Sequence, residues 1–468
     1  MTAAPGSFRD PQGRVLESEQ RIFRALFAPL APFPDTWNPT GPLADFYNAG
    51  TLWPARPLTR AEIPAALAAE APAAVGFLEH PRLDPITFPF EWPFALLKKA
   101  ALLHLGFHRE LMKRGFTLSD GSAYNVQLVG GRPVFIDALA IVPYVEGQPW
   151  AGYAQFCESF LNPLLLASRG CEMWQDLYRG RMRGITTRET ARQLGWWGAM
   201  RAGAFVHVYL SSQVETRAAV ARAQTDQPTR ARAGFSKAGL DLMLGSLERA
   251  IRKLGLPGAG GVHWGDYEGQ NSYAAQERDL KHRLVREFVQ RHRPKCLLDI
   301  GCNAGEYSEV ALDAGAESVI GFERDGPAVQ RAAERAMRLQ RRFLPLQVDI
   351  QNPSPALGWA NAERRALRER LHCDASLCLA LIHHLSLAEG VPLEQVIPEV
   401  VSWAPRGLIE FVPREDPMAR RVAGPVERLT HPYDFSRFLS ILESVATVEN
   451  QSRISADGRV LVEFHRKQ

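Results

Sequence analysis

The second half of the chain alternates short apolar runs with segments of helical periodicity. The apolar runs predict seven strands, at 296–300, 318–323, 343–349, 375–381, 407–412, 444–449 and 459–465. The periodic segments between them predict helices that begin near 304 or cover about 326–341, 361–370, 393–403 and 434–442. Strands that alternate with helices predict a doubly wound parallel α/β sheet, and the hairpin-like last pair predicts an antiparallel edge.

The first half of the chain has a different pattern, which predicts an α+β domain. Residues 8–16 contain the turn sequence Asp-Pro-Gln-Gly between short apolar flanks, which predicts a hairpin. A long apolar segment predicts a helix from Trp92 to Arg114. A second apolar face predicts a helix at 237–254.

A change of composition separates the two halves. Residues 211–234 are polar and lack an apolar stripe, and residues 255–262 combine one proline with four glycines, which is typical of a linker. We therefore predict three parts, an N-terminal domain at 1–210, a polar segment with a helix and linker at 211–262, and a C-terminal domain at 263–468.

A glycine-containing turn follows the first predicted strand of the C-terminal domain. Asp299 closes this strand, and the turn contains Gly301, Asn303 and Gly305 before the next helix starts. A strand, a glycine turn and a helix in succession bring main-chain N–H groups close to a ligand at the strand end. Asn303 stands where glycine is commoner, and asparagine tolerates the left-handed backbone of such a turn.

The next two predicted strands also end in carboxylates. Glu323 closes the second strand and Asp349 the third. Three acids at successive strand ends suit a ligand with an amino group, a ribose diol and an adenine amine. Glu306 and Glu309 occupy the first turn of the following helix, where they would repel the pyrophosphate of a dinucleotide. The pattern therefore favours S-adenosylmethionine, a sulfonium cation without phosphate, over NAD.

Residues 296–468 resemble a class I S-adenosylmethionine-dependent methyltransferase domain in this turn and these acids. The resemblance implies a Rossmann-like seven-stranded sheet. It also implies that the glycine turn holds the methionine end of the cofactor, that Glu323 accepts from the ribose hydroxyls, and that Asp349 accepts from the adenine amine. The predicted cofactor-binding residues are Asp299, Gly301, Asn303, Gly305, Glu323, Asp349, Ile350 and Ala380.

Two histidines follow the fourth predicted strand, where such domains place catalytic residues. His383 or His384 would accept a proton from a hydroxyl or amine acceptor. The alternative is that one histidine packs against the cofactor and the other is solvated. Adjacent histidines rarely converge on one ion, so we predict no metal site. Tyr267, which precedes the first strand, is a candidate lid residue over the cofactor or a packing residue.

Residues 118–137 resemble the catalytic segment of protein-kinase-like and aminoglycoside-kinase-like phosphotransferases. Asp120 and Asn125 have the Asp-x-x-x-x-Asn spacing, and Asp137 follows the next apolar strand. In those enzymes the first aspartate receives a hydroxyl proton, and the other two residues hold Mg²⁺. The chain departs from the pattern, since Ala138 follows Asp137 and no glycine-rich phosphate loop precedes the segment. We therefore favour a degenerate or unrelated scaffold.

Composition narrows the class of protein. Hydrophobic residues make up 46% and charged residues 23%, as in soluble globular proteins, and no apolar run reaches the length of a membrane span. The net charge of +4 is too balanced to predict nucleic-acid binding, and the arginine clusters at 324–342 and 364–370 fit solvated helix faces. Six cysteines without a Cys-x-x-Cys pair, and a start without a signal peptide, predict free thiols and a cytoplasmic location.

The whole chain also resembles a family of two-part bacterial methyltransferases that includes a rhizobial nodulation-associated protein. The resembling segments lie at 8–11, 91–98, 120–127, 133–137, 155–157, 380–385 and 410–413. The resemblance implies methylation of an oxygen or nitrogen of an unidentified acceptor, which we expect to be a small molecule, a glycan or a lipid-linked sugar. Two alternatives stay open: a bifunctional enzyme that is also a Mg-ATP-dependent phosphotransferase, and a non-catalytic adaptor that binds the cofactor.

Overall fold

The computed structural model describes residues 2–18, 21–28, 35–38, 40–201, 206–210, 236–257, 275–423 and 431–467. The chain forms two compact units. The first comprises Met1–Gly260 together with Ser354–Leu367, and the second comprises Gly261–Pro353 together with Arg368–Gln468. A short stretch that interrupts the second unit in sequence therefore belongs to the first unit in space.

An antiparallel sheet opens the first unit. Its strands are β1 (Thr2–Ala3), β2 (Gly13–Glu17), β3 (Arg21–Leu26), β4 (Arg56–Pro57) and β5 (Gly76–Pro81), in the order β1-β2-β3-β5-β4. The hairpin predicted at 8–16 is only partly correct, because β2 pairs with Thr2–Ala3 and Ser7–Arg9 form a 3-10 helix. Gly6, with a φ of 81°, turns the chain out of β1 before that helix.

A long helix, Phe94–Lys113, forms the centre of the rest of this unit, as the apolar segment at 92–114 predicts. It packs against the helix Lys237–Lys253, where Arg109 Nε donates to Asp241 Oδ1 over 2.8 Å. Four short strands form two antiparallel pairs, β6 (Phe116–Leu118) with β9 (Ile141–Pro143) and β7 (Val126–Val129) with β8 (Arg132–Phe135). The other described α-helices of the unit are Ala44–Asn48, Ala65–Glu70, Tyr153–Phe156, Asn162–Ser168, Trp174–Arg179 and Thr187–Arg201.

A seven-stranded sheet forms the second unit and confirms the predicted doubly wound architecture. Its strands are β10 (Leu297–Ile300), β11 (Val319–Glu323), β12 (Phe343–Gln347), β13 (Ala375–Cys378), β14 (Arg406–Phe411), β15 (Ala446–Arg453) and β16 (Val460–Arg466). The order is β12-β11-β10-β13-β14-β16-β15. Strands β10 to β14 are parallel, whereas β16 runs antiparallel to both of its neighbours and so provides the predicted antiparallel edge.

Helices connect and cover the strands of this sheet. They are Ala275–His292, Glu306–Asp313, Gly326–Leu339, Leu393–Ser402, Pro417–Ala423 and Phe435–Val445. Side chains from the first three of these helices and from one face of the sheet form an apolar core that includes Phe288, Leu297, Val319, Phe343 and Leu377. All six cysteines are described and have free thiols, and no described helix has the length and apolar character needed to cross a bilayer.

The helix predicted at 361–370 is wrong. Only Leu367–Arg370 forms an α-helix there, and Trp359–Asn361 form a 3-10 turn in which two residues have positive φ. The main-chain groups of Leu357 and Arg364 pair with each other in both directions over 2.9 Å. These two hydrogen bonds fold the segment back on itself, which is incompatible with a continuous helix.

Residues 354–367, which we call the docking segment, belong to the first unit and pack against other parts of it. The guanidinium carbon of Arg364 lies 3.3 Å from the centroid of the Tyr124 ring. Glu363 accepts from Arg9 Nη2 over 2.8 Å, and Arg365 Nη1 donates to Glu17 over 2.9 Å. Arg364 therefore packs within the protein. The prediction that its arginine cluster forms a solvated helix face is wrong for this residue.

The docking segment generates a prediction about stability. Arg364→Ala removes a partly buried guanidinium from Tyr124, and a desolvated cation–π contact contributes about 1–2 kcal/mol, so the free energy of unfolding should fall by that amount. Arg341→Ala is the control, because the ion pair of Arg341 with Asp313 is exposed and should contribute less than about 0.5 kcal/mol. Urea denaturation of the full chain measures both values, and equal losses would contradict the prediction.

Candidate functional site

The carboxyl ends of the parallel strands meet at one edge of the seven-stranded sheet. Because β10 pairs with β11 and β13, and β11 pairs with β12, the loops after all four strands open at the same edge. A cavity of about 350 Å³ lies there. The predicted site residues that line it are Gly301, Asn303, Glu323, Asp349, Ile350, Ala380 and His384.

The turn after β10 has the left-handed backbone that its sequence predicts. Gly301, Asn303 and Gly305 have φ angles of 78°, 49° and 80°. A Cβ on Gly305 would lie 2.6 Å from the Phe343 ring, so this position requires glycine for space as well as for conformation. The Asn303 side chain accepts from the N–H of Ala304 over 2.7 Å, which stabilises the turn from within.

Asp299 lies behind this turn, with 2% of its surface exposed. Its Oδ2 accepts from the hydroxyl of Ser308 over 2.6 Å. Burial raises the pKa of Asp299 to about 7, and the charge of Glu323 acts in the same direction. The carboxyl group is therefore held in a place where a cationic group would favour its ionised form.

Glu323 fixes the glycine turn from the end of the neighbouring strand. Its Oε2 accepts from the N–H of Asn303 over 2.9 Å, and its Oε1 accepts from the N–H of Asp325 over 2.8 Å. Burial raises the pKa of Glu323. The carboxylate thus joins the loops after β10 and β11, while part of it faces the cavity.

Asp349 lies at a more exposed part of the cavity. Its Oδ1 accepts from the N–H of Gln351 over 2.9 Å, and Arg324 Nη1 lies 3.9 Å from its Oδ2. Arg324 also donates to Glu389 over 2.8 Å. This pair reaches across the cavity from the loop after β11 to the loop after β13, and neither residue was predicted from the sequence. Arg324 directly follows the predicted site residue Glu323, and this adjacency could have indicated it, whereas no local pattern pointed to Glu389.

The loop after β13 carries the two candidate catalytic histidines. Their ring centroids lie 4.4 Å apart, and His384 lines the cavity while His383 is buried. Burial lowers the pKa of both side chains, that of His383 to about 3. Both imidazoles are therefore neutral near pH 7, the state in which a histidine accepts a proton.

Ala380 begins this loop in a left-handed conformation, with a φ of 49°. Its N–H donates to Glu410 Oε2 over 2.8 Å. Lys281 Nζ donates to the same oxygen over 2.6 Å. The backbone at this edge of the cavity is thus connected to a buried pair of opposite charges.

Among the described residues, one set of three side chains has the spacing of a metal site, namely His292, Glu449 and Glu463. Arg291 Nη1 donates to both oxygens of Glu463, and Arg406 Nη1 lies 2.6 Å from His292 Nδ1. Guanidinium groups thus surround two of the three candidate ligands, so this set does not suit a cation.

The three residues of the kinase-like segment come together in the first unit. Burial raises the pKa of Asp120, the nearby charge of Asp137 acts in the same direction, and the Asn125 side chain acts against it. Asp137 forms an ion pair with Arg24 and accepts from the N–H of Leu139 over 3.2 Å. Asp120 accepts from the N–H of Ser122 over 2.7 Å, so both carboxylates are engaged by main-chain groups close to them in sequence.

The candidate lid residue Tyr267 lies outside the described residues.

The buried position of Asp299 predicts a specific pH dependence of stability. Between about pH 4, where an exposed aspartate titrates, and about pH 7, the folded state holds a proton that the unfolded state has released. This group therefore lowers the free energy of unfolding as the pH rises through that range. Asp299→Asn keeps the shape of the side chain and removes the titration, so its stability relative to the unchanged protein should increase between about pH 5 and about pH 8. Urea denaturation measures this difference, and a constant difference would contradict the assignment.

Comparison with known proteins assigns the chain to a family. No family model matches it. It is 37% identical over 464 residues to the nodulation protein NoeA of Rhizobium meliloti (strain 1021). The aligned region covers 99% of this chain and 96% of NoeA.

Two solved structures are similar to part of the chain at low sequence identity. The N-methyltransferase NodS of Bradyrhizobium japonicum WM9 is 17% identical to this chain. The superposition covers 41% of this chain and 97% of the NodS chain, with a TM-score of 0.30. An rRNA methylase of Escherichia coli is 14% identical to this chain. The superposition covers 49% of this chain and 72% of the methylase chain, with a TM-score of 0.29. From the relationship to NoeA, the chain belongs to the NoeA family, and its second unit has the doubly wound seven-stranded sheet and the glycine turn that the sequence predicts.

Proposed function

We propose that the protein transfers the methyl group of S-adenosylmethionine to an oxygen or nitrogen of a small molecule, a glycan or a lipid-linked sugar. The observation that carries this proposal is the cavity at the carboxyl edge of the parallel sheet, which the strand-end acids Glu323 and Asp349 line while Asp299 lies buried behind its glycine turn. Its volume of about 350 Å³ lies within the range of small-molecule sites.

The residues of the cavity fit this cofactor in charge and in kind. Asp299, buried behind the turn, places a negative charge near the cationic end when it is ionised, and Glu323 in the cavity wall offers oxygens that suit a pair of ribose hydroxyls. Asp349 and Ile350 supply an acceptor and an apolar contact for adenine. The glycine turn leaves room for the backbone to approach the ligand, because two of its positions carry no side chain.

When bound, the cofactor supplies the activated methyl group, so the protein has to bind, orient and exclude water. A hydroxyl or amine acceptor must also lose a proton. We propose His384 as the proton acceptor, because it lines the cavity and its imidazole is neutral. His383, buried and with a pKa of about 3, is the weaker base and supports the position of its neighbour.

Binding of the product cofactor tests this proposal without knowledge of the acceptor. Isothermal titration of the full chain with S-adenosylhomocysteine should show a single site, and Glu323→Ala should weaken it by at least about tenfold, because a carboxylate with two main-chain hydrogen bonds and a ligand contact is lost. Glu317→Ala, at an exposed position of the same unit, is the control and should leave the affinity unchanged. Undiminished affinity in Glu323→Ala would refute the assignment of this residue.

The proximity of Asp120, Asn125 and Asp137 supports a second candidate function, a Mg-ATP-dependent phosphotransferase in the first unit. Against it stands the ion pair of Asp137 with Arg24, which engages the carboxylate proposed to hold Mg²⁺. On our preferred account, Mg-ATP leaves the melting temperature of the full chain unchanged.

Differential scanning fluorimetry with and without Mg-ATP decides between the two accounts. A stabilisation by Mg-ATP that Asp137→Asn abolishes would show nucleotide binding at this site and favour the bifunctional account over ours. The non-catalytic adaptor differs from both, since it predicts cofactor binding without methyl transfer to any glycan, lipid-linked sugar or amine in an acceptor panel.

A further inference from the structure

A buried charge network lies directly behind the loop that carries the candidate catalytic histidines. Glu410, in β14, is completely buried, and Lys281 is 2% exposed. Glu410 Oε2 accepts two hydrogen bonds, from Lys281 Nζ over 2.6 Å and from the N–H of Ala380 over 2.8 Å. One carboxylate oxygen therefore connects a buried cation with the main chain at the edge of the cavity.

The main chain needs such an anchor at this position. Ala380 lines the cavity and has a φ of 49°, a left-handed conformation that residues with a Cβ adopt rarely. Unfavourable backbone conformations persist where the surrounding structure determines them, and they concentrate at functional sites. The N–H of Ala380 donates to the Glu410 side chain, and this hydrogen bond holds the Ala380 peptide in place.

The charge of Glu410 is balanced within the network. Arg459 Nη1 lies 3.5 Å from Glu410 Oε1, and the same guanidinium donates to Asp416 over 2.5 and 2.9 Å. All four side chains are almost completely buried. Within the described part of the chain, two cations and two carboxylates thus face one another, and buried charges are stable where they are paired in this way.

We propose that Glu410 is a positioning residue for the cofactor: its carboxylate, held by Lys281, fixes the Ala380 peptide in its left-handed conformation and so places the loop from Ala380 to His384 against the bound ligand. This inference rests on the proposed function, because it assumes that the cavity holds S-adenosylmethionine. It assigns a role to a residue that contacts the main chain of the site and not the ligand itself.

Two substitutions separate the reach of the side chain from its charge. Glu410→Gln keeps an oxygen at the same distance, so it can still accept from Ala380 and Lys281 although the charge is lost. Glu410→Asp keeps the charge but shortens the side chain by one methylene, which withdraws the oxygen from the Ala380 N–H. We expect the affinity for S-adenosylhomocysteine to fall by about tenfold in Glu410→Asp and to stay within about threefold in Glu410→Gln.

Glu463 provides the matched control, because it is a buried acid of the adjacent strand whose partners are Arg291 and His292. Its Asp and Gln variants should change the melting temperature without changing the affinity. Isothermal titration of the full chain gives the affinities, and fluorimetry gives the stabilities. Equal affinity of the two Glu410 variants, at any level, would overturn the positioning role. An absence of binding by the unsubstituted protein would instead refute the proposed function.

Discussion

The parallel pairing of β10 with β11 and β13 is the constraint on which the site depends. Parallel strands connected by helices bring their carboxyl ends to one edge, and the register of this sheet places residue 299 beside residues 321 and 377. Glu323, at the end of β11, and Asp349, just after β12, therefore reach one cavity, while Asp299 of β10 lies buried behind the turn that borders it. The antiparallel strand β16 closes the other side of β14 and buries the strand that carries Glu410.

Around this edge the protein keeps several ionisable groups away from water. Desolvation raises the pKa of Asp299 and lowers that of His383, so both groups are biased towards their neutral forms in the free protein. A cation in the cavity would reverse the bias at Asp299. Glu410 differs from both, because its two cationic partners balance its charge and its oxygen supports the main chain. The cavity thus combines acids that are available to a ligand with one acid that supports the loop.

Features with a local cause were predictable from the sequence. The glycine turn, the apolar parallel strands and the antiparallel edge follow from patterns within a few residues, and the structure has them. Strands β12 and β13 end two or three residues earlier than predicted, because apolar residues continue past the last strand residue into the loops. The helix predicted at 361–370 failed for a different reason. Helical periodicity within the docking segment gave no sign that its side chains bind the first unit.

The contacts between distant positions were beyond the reach of local patterns. Lys281 and Glu410 are 129 positions apart, and Arg364 contacts the ring of Tyr124, a residue distant in sequence but in the same unit. Ala380 lies in a continuous apolar run that predicts one strand, so the sequence gives no indication of its left-handed backbone. These are the places where tertiary structure overrides local preference, and two of them lie at the proposed site.

The most direct test of the central claim is a crystal structure of the full chain with S-adenosylhomocysteine. We predict that the ligand lies at the carboxyl edge of β10 to β13, with its ribose hydroxyls on Glu323 and its adenine beside Asp349 and Ile350. A ligand bound elsewhere, or a cavity that stays empty at saturating ligand, would contradict the account.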